Sequence, residues 1–129
     1  MTDPAARQGL ILFGHGARDP RWAEPFHRLC AEVAARCTDA SVTLAFLEMM
    51  EPDLDAAADA LIADGCTALT IVPIFFGQGS HLRRDLPQKV DALRRRLPAI
   101  GIAVAEAAGE DASVLAAVAD YCVRSSTGA

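Results

Sequence analysis

Two histidines and one glutamate, each placed just beyond an apolar run, are the residues of this chain best suited to chemistry. His15 lies in LILFGHGARDP, Glu48 in AFLEMMEP and His81 in LTIVPIFFGQGSHLRRDLP. Two imidazoles and a carboxylate suit a divalent first-row metal of borderline softness, with coordination positions left open for a substrate. The same three groups can move protons near neutral pH. Singly, each has an ordinary explanation, the histidines as loop hydrogen-bonders and Glu48 as a solvent-facing residue. Their joint weight comes from three strand ends supplying three groups of matching chemistry.

The elements that must position these groups can be read from hydrophobic patterning. Gly9 to Phe13 and Leu69 to Phe76 are nearly continuous in Leu, Ile, Val and Phe, as strands buried on both faces require. Val42 to Leu47 and Ile100 to Ala105 complete a set of four, alternating with four helices, the order of βαβ units around a parallel sheet. The carboxyl ends of such strands face one crevice, so side chains distant in sequence can converge there. Glycines after the first and third strands permit sharp turns and close approach of a ligand.

The first helix is expected to start near Pro25, with Phe26, Leu29, Val33 and Cys37 on its buried stripe. A second opens at Pro52, buries Leu54, Ala58, Leu61 and Ile62, and ends at Gly65. Asp85 is the expected N-cap of a third, with Val90, Leu93 and Leu97 inward and Pro98 as its stop. This leaves His81, Arg83 and Arg84 in the preceding loop. The last helix is capped near Asp111, with Val114, Leu115, Val118 and Cys122 inward.

At 129 residues, 52% of them hydrophobic and 22% charged, the chain fits one folded domain, with an ordered core over about 9–124 and loose termini. The net charge of −5 argues against a nucleic-acid partner, whose phosphates demand a basic surface. No apolar stretch reaches the roughly 18 residues of a membrane span, and the first residues lack the pattern of a signal peptide, so a cytoplasmic protein without membrane association is expected. Cys30, Cys37, Cys66 and Cys122 show no metal-clip spacing and read as small core residues. His27, within the first helix, needs no special role. Arg18, Arg21, Arg83 and Arg84 cluster in the two histidine loops, a rim that attracts a polycarboxylate.

Three segments together, GHGARDP, FLE before a proline-started helix, and PxFFGxGxHLxxDLP, resemble the small class II tetrapyrrole chelatases, the CbiX and SirB group. The likeness runs from about Gly9 to Tyr121. It implies an α/β, flavodoxin-like chelatase fold: a four-stranded parallel sheet flanked by helices. It also implies insertion of cobalt or iron, with nickel as a near variant, into sirohydrochlorin. On that resemblance His15, Glu48 and His81 match the metal-site positions. Arg18, Arg83, Arg84, Gly79 and Ser80 are the substrate-binding candidates, and Met49, Met50, Phe75 and Phe76 are available for apolar contact with the macrocycle. The metal is then a substrate and no organic cofactor is expected, while a symmetric homodimer is implied by analogy with longer, two-domain members. The segment AGEDASVL departs from the pattern, lacking a histidine and a proline common at that loop.

Two other classes use the same residues differently. A metal or tetrapyrrole carrier would bind without turnover. A histidine phosphatase would be expected to carry an arginine directly before its nucleophile, where this chain has Gly14.

Overall fold

The computed structural model describes residues 7–77 and 79–127; the side chains of Ser80, His81, Leu82 and Thr127 are outside the described part. Of the loose termini expected on either side of 9–124, residues 1–6 and 128–129 are also outside it, whereas Gln8 belongs to the first strand and 125–127 to the last helix. Strands β1 (Gln8–Gly14), β2 (Ala40–Phe46), β3 (Ala68–Pro73) and β4 (Gly101–Val104) alternate with helices α1 (Glu24–Arg36), α2 (Leu54–Ala63), α3 (Ser80–Arg96) and α4 (Ala112–Thr127). All pairings are parallel and the strand order is β2-β1-β3-β4.

This order reverses direction after β2. The chain first steps outward from β1 to β2, then crosses back over β1 to reach β3. With right-handed crossovers the reversal puts α1 on one face and α2 and α3 on the other. Packing agrees: Ile11, Phe13, Leu69 and Ile71 meet Ala58, Leu61, Val90 and Leu93 on one side, while Leu12, Leu44 and Phe46 meet Phe26, Leu29 and Val33 on the other. The loops after β1 and β3 therefore part at the point where strand order reverses, the ligand crevice of open α/β sheets.

The helix ends follow their local chemistry. Asp53 caps α2 by accepting a hydrogen bond from the Ala56 N–H, and Asp111 accepts from Ser113 and Val114 at the start of α4. Gly65, at φ +99°, turns the chain after α2. A 3-10 turn at Pro20–Ala23, capped by Asp19, leads into α1.

Three expectations are corrected. Helix α3 begins at Ser80, with Gly79 as its cap in an extended conformation, rather than at Asp85. Reading Asp85 as the cap places Pro87 in the first turn, where proline is tolerated. The helix instead runs through Pro87, a break that costs about 3 kcal/mol in a helix interior; the burial of Leu86, Val90 and Leu93 along one stripe offsets it. His81, Arg83 and Arg84 thus belong to the helix and not to the preceding loop. Second, β3 ends at Pro73, which has no N–H for a ladder, so Phe75 and Phe76 lie beyond the strand. Third, α4 does not bury its expected stripe. Leu115 is 45% exposed, Cys122 is exposed, and the helix makes its principal contact with the short turn before it. Of the cysteines, Cys66 is a core residue, whereas Cys30 and Cys37 are half-buried. Burial pushes the Cys30 thiol above its ordinary range.

Candidate metal centre

His15 is the first residue beyond β1 and Glu48 the second beyond β2, and the backbone pairing of the two strands continues past their ends. The Leu47 N–H donates to the Gly14 carbonyl at 2.9 Å and the Glu48 N–H to the His15 carbonyl at 3.2 Å. The intervening loop is closed by the Phe46 N–H on the Pro52 carbonyl at 2.9 Å. Two residues 33 positions apart are thereby held side by side by main-chain bonds.

Their side chains meet. His15 Nε2 stands 3.1 Å from Glu48 Oε1, with 48% and 45% of the two side chains exposed. With its proton on that nitrogen, the imidazole donates a hydrogen bond to the carboxylate. Two ligands each about 2.1 Å from a shared ion, at a right angle, stand about 3.0 Å apart, so the same spacing fits one ion held by both. Half exposure would leave such an ion's other positions open to exchange.

Glycine makes this approach possible. Gly16 has φ +99°, and a Cβ there would be driven into the Glu48 carbonyl oxygen. A similar contact lies across the crevice. The Gly109 N–H donates to the Phe75 carbonyl at 2.7 Å, and a Cβ on Gly109 would run into the Phe76 backbone. The β4–α4 connection thus braces the segment leading to His81 without the histidine or proline missing from AGEDASVL. Sequence reading missed both glycines as positioning residues. The signal for Gly16 was the second glycine of GHG.

The remaining candidates divide. The backbone of Ser80 and His81 forms the start of α3, while their side chains lie outside the described residues. Among the described residues no group of three His, Cys, Asp or Glu side chains gathers in metal-binding distance, so the described centre is a pair. Gly79, the cap of α3, has open space where a side chain would stand. Arg18, Arg83 and Arg84 are exposed. Arg21 is engaged: its guanidinium donates to Asp19, which holds the Asp19 carboxyl below the usual carboxylate range and raises Arg21.

The four apolar candidates separate by alternation. Phe75 packs edge-on to Phe13 at 6.0 Å and Met50 joins the core beside α1, whereas Phe76 and Met49 are 64% and 59% exposed. Met49, at φ 65°, is in the left-handed region where a side chain other than glycine is uncommon.

A four-stranded parallel sheet whose switch-point crevice carries a paired imidazole and carboxylate defines a class: a small doubly wound α/β protein with two metal-ligating side chain types at its open edge. The chain belongs to the CbiX family, whose model matches residues 9–124. It is 31% identical over 81 residues to a sirohydrochlorin cobaltochelatase of Methanococcus aeolicus, an alignment covering 63% of this chain and 57% of that one. It is 24% identical over 112 residues to a sirohydrochlorin ferrochelatase of Bacillus subtilis, covering 87% of this chain and 43% of that one. The alignments therefore span about half the length of these two relatives. The crystal structure of a cobalamin biosynthesis CbiX protein from Marinobacter aquaeolei superposes with a TM-score of 0.83 at 29% identity, covering 95% of this chain and 99% of that one.

Proposed function

We propose that this protein inserts a divalent metal ion, cobalt or iron, into sirohydrochlorin. The observation that carries the reading is the His15–Glu48 pair, 3.1 Å apart and half exposed at the switch-point crevice of a CbiX-family fold. Nickel is a further candidate ion, because imidazole and carboxylate ligands suit it equally well.

The chemistry follows from an incomplete ligand set. Insertion requires the ion to shed water, the macrocycle to be held facing it, and two pyrrole N–H protons to leave. In our proposal His15 and Glu48 hold the ion, joined by His81 from the first turn of α3. Moderate ligation lets pyrrole nitrogens replace water stepwise, whereas a closed shell of protein ligands would trap the ion. Glu48 accepts one pyrrole proton as the metal transfers, and water at the half-exposed site takes the other. Gly79, Ser80, Arg83 and Arg84 start α3, whose free N–H groups and positive end favour substrate carboxylates. We place the reaction in the cytoplasm, whose reducing conditions suit four free cysteines.

An anaerobic spectroscopic assay of sirohydrochlorin with Co²⁺, Fe²⁺ or Ni²⁺ tests this. Wild-type protein is expected to accelerate insertion over the uncatalysed rate, and the preferred ion emerges from the same series. Tetrapyrrole binding without acceleration would replace the enzyme with a carrier.

The active form in this reading is a homodimer. Leu115, Tyr121 and Val123 on α4, and Val104 on β4, leave apolar surface uncovered at one edge of the sheet. The Bacillus subtilis relative, about twice as long, supports a second unit beside the first. Sedimentation under assay conditions is expected to show a dimer, and Leu115→Asp to shift it toward monomer with loss of insertion. An active monomer would refute the homodimer as the active form.

A further inference from the structure

We propose that His27, together with Arg18, forms a subsite for one carboxylate arm of the tetrapyrrole, on the α1 side of the metal pair; this rests on the function proposed above. His27 lies one turn inside α1, where a histidine on a polar helix face needs no role. The structure gives it a specific setting. It lines a cavity of about 280 Å³ with Arg18 and Glu51, over an apolar surface of Phe46, Met49 and Met50. Met49 directly follows Glu48, so the cavity adjoins the His15–Glu48 pair.

Three observations favour a carboxylate arm as occupant. Arg18 and His27 make no hydrogen bond or ion pair among the described residues, whereas Arg21, three positions beyond Arg18, is already bound to Asp19. Two nitrogen-bearing groups thus stand ready at the mouth of an apolar recess. The ligand chemistry matches, because a short carboxyalkyl arm presents methylenes to Phe46 and the methionines and an anion to the guanidinium and imidazole. A second cavity, about 440 Å³ between α2 and α3, offers the opposite character. It is lined by Asp53, Asp55 and Asp85 with Lys89, and carries no arginine or histidine among its lining residues to receive a carboxylate.

Glu51 sharpens the proposal because it is an anion in the same recess. If a carboxylate binds here, Glu51 opposes it, and neutralising Glu51 must act in the direction opposite to removing the guanidinium of Arg18 or the imidazole of His27. Such a sign reversal would not follow from loosening the fold.

The test measures equilibrium binding of metal-free sirohydrochlorin by fluorescence, alongside KM and kcat for Co²⁺ insertion. His27→Gln and Arg18→Gln are each expected to weaken binding about fivefold, the size of one exposed charged contact, with the loss appearing in KM rather than kcat. Glu51→Gln is expected to tighten binding, and Arg28→Ala, one residue along α1 and outside the cavity, to change nothing. Unaltered binding in His27→Gln, or weaker binding in Glu51→Gln, would overturn the subsite while leaving the chelatase intact. A wild-type protein that neither binds nor metallates sirohydrochlorin would overturn both.

Discussion

His15→Ala is expected to bring metal insertion down to the uncatalysed rate, a loss of more than about 100-fold, while the protein stays folded. The side chain is half exposed and makes one hydrogen bond, to Glu48, so its removal opens no cavity in the core. In the proposed function, what it removes is the ring nitrogen that would hold the ion beside the carboxylate. Glu48→Gln separates the two roles given to that residue. A glutamine keeps the size and one neutral oxygen donor but has lost the charge and the proton-accepting power of a carboxylate. Insertion should therefore slow more than metal binding weakens, and the two measurements must be made on the same preparation. Cobalt binding read from its visible absorption gives the first quantity and single-turnover insertion the second. Equal losses would make Glu48 a ligand only; full activity in His15→Ala would remove the metal site from this crevice altogether. His81→Ala is expected to follow His15→Ala in both readouts, which tests the ligand role assigned to it from sequence.

The sheet and the pairing of His15 with Glu48 were legible because both rest on short-range signals. Apolar runs announce strands, and a residue just past a strand end in a parallel sheet has one edge to occupy. The start of α3 was misread because the strongest local punctuation, Asp85 before Pro87, describes a good helix entry, and the tertiary burial of Leu86, Val90 and Leu93 overrode it. The role of α4 escaped for a different reason. Its apolar positions have helical spacing, as any buried helix would, and spacing alone does not say whether the covering surface belongs to the same chain. Long-range contact through absent atoms was the hardest to read: that Gly16 abuts Glu48, and Gly109 abuts Phe76, depends on loop paths that no periodicity encodes.

Gly16→Ala is expected to disable insertion as thoroughly as loss of a ligand, although Gly16 contributes no side chain. Two costs are combined there, a backbone at φ +99° and a Cβ aimed at the Glu48 carbonyl oxygen. Gly65 separates them, because it has the same φ of +99° with nothing within 4 Å of where its Cβ would be. Gly65→Ala therefore carries the conformational cost alone, about 1 kcal/mol, and should leave insertion at the wild-type level. Gly16→Ala carries that cost plus displacement of the Glu48 loop, for a total of about 2–4 kcal/mol in chemical denaturation. The loop can move only by breaking the Glu48 N–H bond to the His15 carbonyl, which carries the carboxylate away from the imidazole. The ion then loses its two-sided grip. If both alanine variants lose the same stability and both retain insertion, the contact at Gly16 is incidental. If Gly16→Ala alone loses cobalt binding, the metal centre is set by how closely two backbones approach, and the glycine after His15 is as much a part of it as the histidine.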